Sequence, residues 1–130
     1  MCLLVFAYNS HPDYYLILAA NRDEFYERPT RSARFWPESP SILAGKDLAG
    51  GGTWLGLHRD GRISALTNHR DMAGHDPDAK SRGELPTTFL ESRDEPEDFL
   101  AGLNRSDDPY NGYNLIAGTL SSLCHYSNRE

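Results

Sequence analysis

Leu16-Ile17-Leu18-Ala19-Ala20 runs without a break into Asn21-Arg22-Asp23-Glu24, so a fully apolar segment delivers four polar residues at its end. With Tyr14-Tyr15 in front of it, this run predicts a β-strand over 14–20. A second apolar run lies just upstream, Cys2-Leu3-Leu4-Val5-Phe6-Ala7, and predicts a strand over 2–8. The turn Asn9-Ser10-His11-Pro12-Asp13 joins the two. Strands joined by so short a turn pair antiparallel, so the polar end of the second lies beside the start of the first. Asn21 to Glu24 are thereby placed next to Cys2. Both runs are apolar on successive residues, which predicts strands covered on both faces of a layered fold.

Outward from this pair, residues 27–41 hold Pro29, Pro37 and Pro40 and predict an irregular segment around Phe35 and Trp36. Gly50-Gly51-Gly52 reads as a flexible turn before Thr53-Trp54-Leu55-Gly56-Leu57. The turn Arg59-Asp60-Gly61 then returns the chain as Ile63-Ser64-Ala65-Leu66-Thr67-Asn68, a hairpin. Ser81 and Glu84 have capping-box spacing before Leu85, Phe89 and Leu90, with Pro86 pushing the helix start downstream. Asp94 and Glu97 repeat that spacing before Phe99, Leu100 and Leu103. Residues 113–118 and 123–126 predict a last hairpin, which takes in Cys124-His125. Strands, two helices and then strands make an α+β order rather than an alternating one.

Composition narrows the function classes. With 130 residues the chain suits one domain or part of one, and 38% hydrophobic and 11% aromatic residues suit a packed core rather than disorder. A net charge of −6 without a basic cluster argues against binding nucleic acid through its phosphates. The apolar runs are strand-sized, so neither a membrane span nor a signal peptide is expected. Cys2 and Cys124 are too few for a disulfide framework and belong to no CxxC pair, which fits a reducing compartment, the cytoplasm or an organelle matrix. Gly50-Gly51-Gly52 is no phosphate loop, because no Lys-Ser/Thr follows it. His69 and His75 with Asp71 and Asp76 lack metal-ligand spacing, so no metal or resident cofactor is expected. Trp36 and Trp54 suit core packing or the wall of an apolar pocket.

Cys2 carries the chemistry. Met1 precedes a small residue, the context in which an initiator Met is usually removed. Removal leaves the Cys2 thiol beside its own α-amine, whose ordinary pKa near ~7.7–8.0 suits a general base at neutral pH. Nucleophile and base then sit on one residue. The plainer reading, a small hydrophobe starting a strand, fits the same position. Asp23 supplies a carboxylate that can orient the amine or thiol, and Arg22 a guanidinium that favours the thiolate and binds an anionic substrate group. Asn68, at the end of the hairpin's second strand, can donate its amide to a developing oxyanion. Each of these also reads as an ordinary solvated strand end or turn residue.

Met1-Cys2, the run from Leu16 to Phe25 with Arg28-Pro29, and Gly51-Gly52-Thr53-Trp54-Leu55-Gly56 resemble the NRDE family, also called the transport and Golgi organisation protein two family. Ala65-Leu66-Thr67-Asn68, Arg82-Gly83-Glu84-Leu85 and Tyr110-Asn111-Gly112-Tyr113-Asn114-Leu115-Ile116 extend the resemblance along the whole chain in order. The resemblance implies an N-terminal-nucleophile (Ntn) hydrolase-like αββα sandwich. It also implies kinship with the bile-salt-hydrolase and penicillin-acylase branch, whose N-terminal Cys cleaves amides. In that frame Cys2, Asp23 and Asn68 correspond to nucleophile, orienting carboxylate and oxyanion donor, while Arg22 matches less well, because that branch spaces its Arg differently. Members of the family are about twice this long, so this chain is expected to be the N-terminal half of the domain. Two helices do not cover both outer faces of an αββα sandwich, so apolar sheet surface should stay bare.

Two functions follow from the resemblance. The first is a cysteine amidohydrolase acting on a small-molecule linear amide. The second is a non-enzymatic carrier of haem or lipid in secretory organisation, with Cys2 or a histidine on the haem iron and with Golgi or mitochondrial association.

Overall fold

The computed structural model describes residues 2–69 and 75–129. β1 (Leu3–Tyr8) and β2 (Leu16–Asn21) form a two-stranded antiparallel ribbon, in register from Leu3 opposite Asn21 to Tyr8 opposite Leu16. The turn closes through Asn9, left-handed at φ 49°, whose N–H donates to the Tyr15 carbonyl at 2.8 Å. Asn tolerates that backbone region better than most residues.

The rest is a six-stranded antiparallel sheet whose strand order follows the chain: β3 (Thr30–Phe35), β4 (Ile42–Asp47), β5 (Leu55–His58), β6 (Ile63–Asn68), β7 (Tyr113–Gly118) and β8 (Leu123–Ser127). Between β6 and β7 come α1 (Glu84–Glu91) and α2 (Pro96–Asn104). α1 packs across β5, β6 and β7, and α2 against β7 and β8. Leu85, Phe89 and Leu100 bury their side chains there against Leu66, Leu115 and Ala117. Leu90 reaches a second cluster with Trp36, Ile42 and Ala44. The fold is α+β, as the order of elements predicts.

Several local expectations change. Residues 30–35 are not irregular but form β3. Pro29 and Pro37 flank the strand instead of interrupting it, and its edge position exposes every residue, so Thr-Arg-Ser-Ala-Arg-Phe shows no apolar period. β4 is its partner, with a register shift between Arg31 and Arg34. Neither helix uses a capping box: the residues before them are Gly83 and Glu95, and no side chain caps either N-terminus. Pro86 does not delay α1. It occupies the first turn, where its missing N–H has no intrahelical partner to lose.

The ribbon also departs from expectation. Its run-on apolar residues predict cover on both faces, yet Leu3 and Val5 are 61% and 59% exposed on one face, with Ile17, and Phe6 is exposed on the other. That second face turns to the large sheet. Tyr8, Leu16 and Leu18 of the ribbon line one apolar cavity of about 700 Å³ with Leu43, Leu55 and Leu57 of the sheet. Apolar side chains of the ribbon thus lie bare. No helix among the described residues is long and apolar enough to cross a membrane.

Candidate functional site

The antiparallel register of the ribbon sets the end of β2 beside the start of β1. Continued by one residue, it places Arg22 opposite Cys2. Asn68 arrives separately, as the last residue of β6, paired with Tyr113 of β7. Cys2, Arg22, Asp23 and Asn68 all line one cavity of about 560 Å³. Trp54 and Gly45 line both this cavity and the apolar one. Trp36 is instead a core residue, its indole N–H donating to the Ala44 carbonyl at 3.1 Å.

The electrostatic centre of the cavity is Asp47, at the end of β4. Its Oδ1 accepts the amides of Ala49 at 2.9 Å and Gly50 at 3.0 Å. Its Oδ2 accepts Arg28 Nε at 2.7 Å and lies 3.4 Å from Arg22 Nη2. Burial works against its charge, but the Gly50 amide, Arg28 and the Ala49 amide outweigh it and hold the carboxyl below the usual range. Glu24 Oε2 lies 3.5 Å from Arg22 Nη2 and 3.8 Å from Arg28 Nε. Arg22 and Arg28 therefore share two carboxylates, and this pairing ties the polar end of β2 to the large sheet.

A depressed folded-state pKa makes Asp47 a stabilising group above the ordinary Asp value, and its contribution is lost as the pH falls through the depressed one. Asp47→Asn in the full-length protein should therefore flatten the acid limb of stability between roughly pH 5 and pH 2. Urea midpoints against pH would check this. Superimposed curves for wild type and variant would mean that Asp47 carries no such linkage.

The Cys2 thiol is half-buried. Burial pushes its pKa up, the Arg22 guanidinium pulls it down and Glu24 pushes it up, with a net rise above the ordinary thiol value. The Arg22 influence has the expected sign, but burial outweighs it.

Facing Arg22 and Asp47, the segment before α1 supplies Ser81, Arg82 and Gly83 to the cavity. The Gly83 carbonyl accepts the Thr53 amide at 3.0 Å. Gly52 makes the approach close enough: a Cβ there would sit 2.1 Å from the Gly83 oxygen. Gly50-Gly51-Gly52 is thus more than a flexible turn, since it seats the Arg82-Gly83-Glu84-Leu85 motif against β4 and β5. His75 and Asp76 also line the cavity. Asp71 lies outside the described residues, and among the described residues no group of three His, Cys, Asp or Glu is placed to hold a metal. Cys124 lies on β8 as expected, with Sγ 3.2 Å from Glu97 Oε1.

Asp47, Arg28 and Arg82 are the site residues that sequence reasoning passed over. For Asp47 a signal exists, an Asp two and three residues before backbone amides in a Gly-rich turn.

Comparison with known proteins agrees with this picture. The family model described as Transport and Golgi organisation 2 matches residues 1–130. The chain is similar to the Mus musculus protein named Transport and Golgi organization 2 homolog, 42% identical over 99% of this chain and 51% of the mouse protein. The Homo sapiens homolog gives the same 42% over 99% and 51%. Transport and Golgi organization protein 2 of Drosophila melanogaster is 33% identical over 94% of this chain and 47% of its own length. The chain spans about half the length of these curated relatives. With Asn21-Arg22-Asp23-Glu24 at the cavity's edge and a match that runs over the whole sequence, the chain belongs to the Transport and Golgi organisation 2 family, for which NRDE is another name.

Proposed function

We propose that in the full-length protein Cys2 is the nucleophile of an Ntn-type cysteine amidohydrolase acting on linear amides, within an Ntn hydrolase-like αββα sandwich of which this chain is the N-terminal part. The observation that carries this reading is one cavity lined by Cys2, Arg22, Asp23 and Asn68, which come from two separate sheets. With Met1 removed, the α-amine of Cys2 takes the thiol proton. Sγ adds to the amide carbonyl carbon, and the oxyanion so formed accepts a hydrogen bond from Asn68. The α-ammonium returns the proton to the leaving nitrogen, the C–N bond breaks and a thioester remains. Water, deprotonated by the same amine, then attacks the thioester, the C–S bond breaks, and acid and thiol are released. Asp23 orients the α-amine throughout. Arg22 lowers the cost of the thiolate.

The test combines intact mass with turnover. Full-length protein whose mass shows Met1 removed should hydrolyse members of an N-acyl amide panel, and rapid quenching should trap a mass increase equal to the acyl group. Verified free Cys2 together with no hydrolysis across a broad panel would sink the proposal.

A second reading rests on the apolar cavity of about 700 Å³ that adjoins the polar one at Gly45 and Trp54. In it the protein carries haem or a lipid as cargo, with Cys2 or His75 on the iron, and works in the cytoplasm at Golgi or mitochondrial membranes, in keeping with the transport and Golgi organisation in its relatives' names. Such carriage needs no free α-amine, so an uncleaved N-terminal extension should leave haem or fatty-acid binding intact while abolishing any hydrolysis. Binding lost with the extension would count against the carrier.

A further inference from the structure

We propose that the cavity beside Cys2 holds an anionic group, carboxylate or phosphate, between the guanidinium groups of Arg28 and Arg82, so that the molecule reaching Cys2 is an anion. The chemical identity of the substrate in this proposal rests on the hydrolase reading of Cys2, whereas the anion site itself does not.

The cations of the cavity differ in what they already hold. Arg22 and Arg28 share Asp47 and Glu24. Lys46 is paired with Glu38, and Lys80 with Asp108 at 2.5 Å. Among the described residues neither Arg31 nor Arg82, which also line the cavity, holds a carboxylate, and of the two Arg31 is exposed. Arg82 is half-buried, and its hydrogen-bond partner is a neutral one, the Gly112 carbonyl, which accepts from Nη1 at 2.8 Å. Burial, and then repulsion from Arg28, lower its proton affinity. Two neighbouring guanidinium groups without a carboxylate between them repel until an oxyanion bridges them.

The space for that oxyanion is lined by donors. Ser81 Oγ, Arg28 Nη2 and the Asp47 carboxyl converge on Gly50, where an added Cβ would sit 2.8, 3.7 and 3.7 Å from them, so the Ser81 hydroxyl and the Arg28 guanidinium flank the same wall of the cavity that Arg82 lines. Arg28 commits Nε to Asp47 at 2.7 Å, which leaves its Nη groups to a ligand. Among the carboxylates facing the same space, Asp47 is saturated by two amides and Arg28 Nε, and Asp76 Oδ1 accepts the Asp78 amide at 2.9 Å. Asp23 also lines the cavity, on the Cys2 side. The motif Arg82-Gly83-Glu84-Leu85, to which the hydrolase reading assigns no role, acquires one here.

The test alkylates Cys2 in the full-length protein with two reagents of nearly equal size, iodoacetate and neutral iodoacetamide. Their rate ratio cancels the thiolate fraction and reads the local preference for an anion. Cys124, beside Glu97, is the reference thiol in the same molecule. Arg82→Gln should lower the ratio at Cys2 about tenfold and leave it unchanged at Cys124, and Arg82→Lys should retain most of it. In wild type, sodium acetate or sodium phosphate should slow iodoacetate but not iodoacetamide. The more effective salt shows which oxyanion the site prefers. A folded Arg82→Gln with an unchanged ratio would overturn the proposal. Should Arg82→Gln not fold, the competition in wild type decides: protection by either salt supports the site and protection by neither removes it. None of these readouts requires turnover, so the anion site and the hydrolase activity fail separately.

Discussion

Cys2→Ser in the full-length protein is expected to lower turnover of N-acyl amides by at least about 10³-fold while the melting temperature stays close to that of wild type. A hydroxyl has a far higher pKa than a thiol, and an α-amine near pH 8 is a poor match for its proton. The side chain changes by one atom at a half-buried strand start, so the fold has little to lose. An uncleaved N-terminal extension should abolish turnover as completely by a different route, because the α-nitrogen is then a peptide amide and cannot take a proton. The two variants separate nucleophile from base: iodoacetamide should still label Cys2 in the extended protein, and in Cys2→Ser it should not. Turnover retained in Cys2→Ser would remove the thiol from the chemistry, and turnover retained in the extended protein would remove the α-amine.

The second large effect belongs to Gly52. Gly52→Ala should destabilise the protein by about 3 kcal/mol or more, at the severe end for a single methyl. The new Cβ would lie 2.1 Å from the Gly83 oxygen, 2.3 Å from its carbonyl carbon and 2.9 Å from the Glu84 nitrogen. All three are backbone atoms at the entry to α1, so no side-chain rotation relieves the clash. Relief requires breaking the Thr53 to Gly83 hydrogen bond and parting the β4–β5 connection from the helix, which also carries Arg82 away from Arg28. Gly102→Ala is the control, since nothing lies within 4 Å of that position in α2. Alanine there should be neutral or stabilising by up to ~1 kcal/mol. Urea midpoints of both variants check the pair, and a Gly52→Ala cost no greater than about 1 kcal/mol would mean that the close approach does not exist.

What the sequence makes legible is burial with a period. The ribbon hairpin, the β5–β6 and β7–β8 hairpins and both helices announce themselves because each buries a face or ends in recognisable turn residues. Gly61, at φ 96°, closes the second of these hairpins where the Arg59-Asp60-Gly61 turn predicts it. β3 is illegible for the converse reason: an edge strand exposed on both sides has no face to reveal. The site divides in the same way. Cys2, Asp23 and Asn68 stand out by position at strand ends. Asp47 is one carboxylate among many until the chain closes on it, and the separation of Arg82 from carboxylates among the described residues is a property of tertiary placement alone.

The strand order of the large sheet has a consequence for how the protein assembles. Because β3 to β8 lie side by side in chain order, almost every pairing is between neighbours joined by a short connection, and the one distant closure is β6 onto β7 around the two helices. Low contact order of this kind favours rapid folding by stepwise addition of hairpins. The β1–β2 ribbon shares no strand pairing with that sheet and forms a separate cooperative unit. Amide hydrogen exchange should therefore resolve two opening events, an easy one for residues 3–21 and a costlier one for the sheet. Cys2, at the open end of the ribbon, would then be released by local opening long before the protein unfolds.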